Sequence, residues 1–251
     1  MANIDHGRFP NPLPKELWGV FFEMGLNDKN LKDDIVGTKN TTWSAKDLNP
    51  TQEDVYLSKS LSMAIGSKSR PGIEGGDLKS IVSHDGYILD GHHRWAATLW
   101  SNPSAQISGI EVALNIVDLV PVLRAAGDAF GNARREGPKG DRNIFQSSMK
   151  DVLEAVKDGK GMTTKDYTYD HDWCMQWLAN LGKGKIADGE KLLAQRLAEI
   201  KKHKTPSTSP ARKDMPVIET ADWAKIKGTS QEKLVAYYLR KGAIDLRKPY
   251  G

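Results

Sequence analysis

The chain has 251 residues, 39% hydrophobic and 27% charged, which supplies enough apolar surface for a packed core and excludes wholesale disorder. Its one cysteine, Cys174, excludes an internal disulfide and a multi-cysteine zinc module, and no apolar run approaches the roughly 20 residues of a bilayer-spanning helix. The net charge of +4 is uneven: residues 1–100 carry 11 Lys and Arg against 13 Asp and Glu, whereas residues 101–251 carry 25 against 19, so any affinity for nucleic acid belongs to the second part.

Residues Met1–Pro12 lack the apolar stretch of a signal peptide, so a cytoplasmic protein without a membrane partner is expected. After three spaced prolines, Leu17, Trp18, Phe21 and Phe22 predict a short amphipathic helix over 15–24. Trp43–Leu48 reads as a short strand. Asn49-Pro50 then reads as a helix start, with Asn49 as N-cap, Pro50 in the first helical position and Gln52 where a capping box places its amide. Leu57, Leu61, Ala64 and Ile65 carry the helical spacing to about Gly66.

A Gly-, Ser- and charge-rich loop covers Ser67–Asp77. Leu78–Ser83 and Tyr87–Leu89 are strand-like and are joined through His84-Asp85-Gly86, a hairpin signal. Asp90-Gly91-His92-His93-Arg94 leads without a gap into a helical pattern through Trp95, Ala96, Leu99 and Trp100. Ile110–Ile116 predicts a further strand and Asp118–Phe130 a helix. Helices are then expected over roughly 144–157, 169–181 and 188–202, with a last one over 221–241. The stretch Lys201–Lys213 holds five cations, no acid and a Pro/Ser/Thr run, and reads as an exposed linker.

Tyr87–Trp100 concentrates the residues able to do chemistry. A helix that starts at a glycine turn offers backbone N–H groups and the positive end of its dipole, a combination that suits phosphate. Arg94 adds a forked cation. His92 and His93 are able to donate to phosphate or to move a proton, and Asp90 to hold a metal or act as a base. No Ser or Cys stands at the turn to serve as an acyl nucleophile. The alternative reading makes Asp90 a cap, Arg94 an ion-pair partner and the histidines solvated. A zinc site built from His84, His92 and His93 is a third option, although the spacing fits no common ligand pattern.

The string Asp90-Gly91-His92-His93-Arg94-Trp95-Ala96-Ala97, preceded by Gly86-Tyr87-Ile88-Leu89, resembles the signature of the ParB/sulfiredoxin superfamily. Leu48-Asn49-Pro50-Thr51-Gln52 is similar to the Asn-Pro-x-Gln stretch near the start of ParB-type domains. The resemblance covers about residues 43–100, with Ile110–Ile116 completing the unit. Sulfiredoxins carry a catalytic cysteine where this chain has His92, which argues against sulfinic-acid reduction. Chromosome-partitioning ParB proteins bind CTP through Gly-Glu-Arg-Arg, and here His92 and His93 replace the Glu and the first Arg. Free-serine kinases of the superfamily carry Asp-Gly-His-His-Arg residue for residue, and phage ParB-like proteins look similar.

The resemblance implies an α+β chain with a small mixed-sheet domain over 43–135, an N-terminal helical extension over 1–42, and a basic, mostly helical region over 136–251 with a linker near 204–216. It further implies binding of ATP or another nucleotide with Mg²⁺, and phosphotransferase or NTPase chemistry on a hydroxyl acceptor. Phosphate contacts would come from Gly91, His92, His93, Arg94 and Gln52. Asp90 would hold the metal. Asp90, His92, His93 and Glu53 would serve catalysis, Glu53 as the base. The alternative is a ParB-like DNA-binding protein or nuclease that uses the basic residues of 101–251.

Overall fold

The computed structural model describes residues 38–66, 76–120, 141–158, 163–164, 167–207 and 209. The helices expected over 15–24 and 221–241, and most of that over 118–130, lie outside these residues. The chain is α+β, with a five-stranded mixed sheet and helices packed on it. The strands are β1 (Thr38–Ser44), β2 (Asn49–Pro50), β3 (Gly76–Ser83), β4 (Tyr87–Asp90) and β5 (Gln106–Val112), in the spatial order β1-β5-β3-β4-β2. Short β6 (Thr163–Thr164) and β7 (Tyr167–Thr168) form a separate pair.

The β3–β4 hairpin forms where Asp85-Gly86 predicts it, and Gly86 takes φ +84° in its turn. β5 starts at Gln106, four residues before the expected strand, because Gln106-Ile107-Ser108-Gly109 already alternates and pairs antiparallel with β1 from Thr38↔Val112 to Ser44↔Gln106. β1 ends at Ser44, and Ala45–Asp47 is a turn of 3₁₀ helix where strand was expected.

Asn49-Pro50 does not start a helix. It forms β2, parallel to β4, with the Asn49 N–H donating to Gly86 O (2.9 Å) and the Thr51 N–H to Ile88 O (3.2 Å). A proline without an N–H is tolerated here because β2 is an edge strand. The helix α1 begins only at Leu57 and runs to Gly66. Its first turn is capped from far along the chain: Asp141 accepts from the N–H groups of Ser58 (3.0 Å) and Lys59 (3.3 Å).

Helix α2 (His92–Ser101) leaves β4 through Gly91. All of its residues except Arg94 and Ser101 are buried, with Trp95 and Trp100 fully so. The Trp95 indole N–H donates to Ala45 O (2.9 Å) and that of Trp100 to Ser60 Oγ (3.1 Å), so neither polar tip is stranded in the core. Three helices follow: α3 (Met149–Asp158), α4 (His171–Leu181, capped by Asp170) and α5 (Ile186–Ile200). α5 packs on α2, and α3 on α1. One apolar cluster holds Leu61, Trp95 and Trp100 together with Val152, Trp177, Leu193 and Ile200, so the core crosses the boundary expected near residue 135. Among the described residues, no helix is long and apolar enough to cross a membrane.

Candidate functional site

Strands β2 and β4 are parallel, so their C-terminal ends lie at the same end of the sheet. The chain leaves β4 through Asp90 and Gly91 into α2, and leaves β2 through Thr51 into the segment that reaches α1. The two exits are therefore neighbours, and this brings Asp90–Arg94 beside Thr51–Tyr56.

Gly91 has φ +101° and forms the N-cap of α2 without a side-chain hydrogen bond. Only glycine adopts this backbone at little cost. A Cβ placed there would stand 2.9 Å from Ser80 Oγ and 3.6 Å from Arg94 Nη2. The Ser80 hydroxyl is buried and has no hydrogen-bond partner among the described residues, and the same is true of the Thr51 hydroxyl.

The two histidines face inward. His92 Nε2 accepts from the backbone N–H groups of both Thr51 and Gln52, each at 3.2 Å. His93 Nε2 accepts from the Tyr56 N–H at 3.1 Å, and its ring stacks on Tyr56 with centroids 5.5 Å apart. Both side chains are buried. An Nε2 that accepts must present its lone pair, so each ring is the tautomer protonated at Nδ1. The pair clasps the segment after β2 onto the first turn of α2. The Nε2 atoms of both rings are thereby committed to backbone N–H groups.

Asp90 and Arg94 face outward. They are partly exposed, one helical turn apart, and Arg94 Nη2 lies 3.4 Å from Asp90 Oδ2. That contact is long for a charge-assisted hydrogen bond, so it leaves the guanidinium able to engage an anion. Gln52 is buried, and its amide donates to the carbonyl of Asp54. Glu53 is exposed on the clasped segment, which Asn143 braces by donating to Glu53 O at 2.8 Å.

His84 does not join His92 and His93. It is exposed, and its Nδ1 lies 3.0 Å from Glu111 Oε1. Among the described residues no three His, Cys, Asp or Glu side chains are grouped to hold a metal. Cys174 is buried in the core, where burial pushes its thiol pKa up, so the position carries no reactive thiolate.

Two residues at this site carry no signal in the sequence. Ser80 is an ordinary strand serine until the β3–β4 hairpin sets it against Gly91. Tyr56 becomes relevant only through its contact with His93, 37 residues away. No family model, curated protein or solved structure significantly matches this chain. The ParB/sulfiredoxin resemblance thus rests on residues 48–52 and 86–97 themselves.

Proposed function

We propose that the chain binds a nucleoside triphosphate at the start of α2 and transfers or hydrolyses its terminal phosphate, with Mg²⁺ as the accompanying cation. The observation that carries this reading is the strand–Gly91–helix junction. It has a left-handed glycine cap, no side-chain hydrogen bond at that cap among the described residues, and a partly exposed Arg94 in the first turn. Backbone N–H groups and the helix dipole favour a phosphate there, and Arg94 supplies a fork for its oxygens. The buried Ser80 hydroxyl beside Gly91, without a hydrogen-bond partner among the described residues, supports the same seat.

Asp90 supplies one partly exposed carboxylate, which fits a magnesium ion that takes its other ligands from phosphate oxygens and water. Such a cation supplies charge neutralisation on the phosphates. In this scheme His92 and His93 are positioning residues: they hold Thr51–Tyr56, and with it exposed Glu53, against the phosphate seat. Glu53 is the candidate base for an acceptor hydroxyl. The ParB/sulfiredoxin likeness of the Asp-Gly-His-His-Arg string supports the reading, since free-serine kinases of that superfamily carry the same five residues.

The test is a panel of ATP, CTP, GTP and ADP with Mg²⁺, in which binding and phosphate release or transfer are both followed. Asp90→Asn and Arg94→Gln should each weaken binding by roughly 10- to 150-fold, the equivalent of about 1.5–3 kcal/mol for a hydrogen bond to a charged group. Both variants should unfold like the wild type because these side chains are partly exposed. Absence of binding by the wild type at millimolar nucleotide would overturn the reading. Nicking of supercoiled plasmid with Mg²⁺ and no nucleotide would replace it with the DNA-directed alternative.

A further inference from the structure

The α4–α5 turn, Gly182–Lys185, opens an exposed cavity of ≈ 410 Å³ lined by Leu181, Lys183, Lys185, Asp188, Lys191 and Gln195, among others. Lys183 and Lys185 form no ion pair among the described residues, and Lys191 stands 3.6 Å from Asp188 with both side chains exposed. The lining therefore keeps an excess of two positive charges. Lys183 has φ +53° and is the one non-glycine residue with positive φ among those described. A lysine there is less well suited to its backbone than Gly or Asn. Beside the lysines Ile186 is 41% exposed, which leaves an apolar surface among cations.

We propose that the α4–α5 turn is a binding site for the phosphate backbone of nucleic acid, without base readout. The ammonium groups are compact point charges on flexible stems, which suit phosphates and impose no planar geometry. The cavity is open, has no aromatic wall to stack a base, and holds no buried amide to read a base edge. A free nucleotide would find nothing here for its base. A polymer backbone needs only the charges. The site shares no residue with Asp90–Arg94, so it stands whether or not a nucleotide binds at α2.

The experiment uses the full chain and a labelled random-sequence duplex, with affinity measured by fluorescence anisotropy from 50 to 200 mM salt. The double variant Lys183→Asn with Lys185→Gln is compared with Lys46→Gln with Lys150→Gln, which removes the same charge elsewhere. Each phosphate contact contributes about 0.9 to the slope of log K against log salt, so loss of two contacts should flatten the slope by roughly 1.8. The wild type should then lose roughly tenfold more affinity across that salt range than the double variant does. Asn suits the backbone of position 183, and Lys185→Gln with Lys191→Gln repeats the test at positions of ordinary φ should the first pair fold poorly. Equal slopes in the turn variant and the wild type overturn the proposal. So does an equal effect of the control pair, undetectable duplex binding at 50 mM salt, or displacement of the duplex by polyglutamate at equal charge concentration.

Discussion

Removal of the His92 ring tests the division between the inward and the outward residues of the Asp-Gly-His-His-Arg string. In His92→Ala, the buried Gln52 N–H loses the acceptor it has in His92, whereas the Thr51 N–H keeps the Ile88 carbonyl that it shares with the ring. A buried donor left unpaired costs about 1–3 kcal/mol. The Gln52 bond is 3.2 Å long and shares the ring's one lone pair with Thr51, so it belongs at the low end of that range. That loss comes to about 1–1.5 kcal/mol, and the vacated ring volume adds about 1 kcal/mol. The expected destabilisation is therefore roughly 2–2.5 kcal/mol, a sizeable share of the ~5–15 kcal/mol typical of a domain. Urea unfolding followed by tryptophan fluorescence measures it, since Trp95 and Trp100 lie in the helix concerned. His93→Ala should cost about as much, roughly 2 kcal/mol, because there too one N–H loses its acceptor and a buried ring is vacated. His92→Gln should recover part of the loss because its amide oxygen can accept. A change below about 1 kcal/mol for His92→Ala, with phosphate chemistry abolished, would refute the clasp and restore the ring as a proton carrier.

Gly91→Ala should destabilise by roughly 2–3 kcal/mol, from a left-handed backbone and a methyl 2.9 Å from Ser80 Oγ. Adding Ser80→Ala should return the crowding part only, and Ser80→Ala alone should be close to neutral because its hydroxyl has no partner to lose; urea curves of the four proteins decide this. Burial holds the His203 pKa below its ordinary value against the raising effects of the Leu48 backbone contact and of Glu199 and Asp47, while its ring meets Trp95 edge-on at 5.2 Å. The unfolded chain then binds a proton that the folded chain resists, so stability should be full above pH ~6.5 and fall as pH drops through that value toward the folded pKa. Thermal melts from pH 8 to 5 should show this slope in the wild type and a shallower one in His203→Gln. Cys174, buried with its pKa pushed up, should react with a thiol reagent only once urea unfolds the chain, and Cys174→Ser should leave nucleotide turnover unchanged.

The helices α2, α4 and α5 and the β3–β4 hairpin are legible in the sequence because their signals are local. These are helical spacing, as from Trp95 to Trp100, and an Asp-Gly turn. Asn49-Pro50 misleads for the same reason. Its residues have the composition of a helix start, but the N–H groups of Asn49 and Thr51 are claimed by β4, whose residues lie 37 or more positions away. The true start of α1 is capped by Asp141, 83 residues from Ser58, which no local pattern reports. The site divides in the same way. The glycine cap and the i,i+4 placement of Asp90 and Arg94 follow from local order. The direction of the histidine rings depends on which strand lies beside β4.

That dependence gives the string its internal logic. Asp90, the last residue of β4, and Arg94, in the first turn of α2, lie within 3.4 Å of each other and both are partly exposed. His92 and His93 are consecutive, so their side chains leave the helix about 100° apart. Both still find the same partner segment, because Thr51–Tyr56 runs across the end of α2 instead of along it. One ring takes the N–H groups at the segment's beginning and the other takes that at its end. The segment is also held by Ile88 O at Thr51, by Asn143 at Glu53 O and by the Ile144 N–H at Val55 O (2.8 Å). The two rings add a point near each end, and help set the distance from exposed Glu53 to the surface that carries Arg94. Adjacent histidines thus serve the clasp itself, a role separate from proton transfer. Substitutions at 92 and 93 should therefore act on binding through the placement of 51–56, in proportion to their cost in stability. Substitutions at 90 and 94 should act on binding with no such proportion.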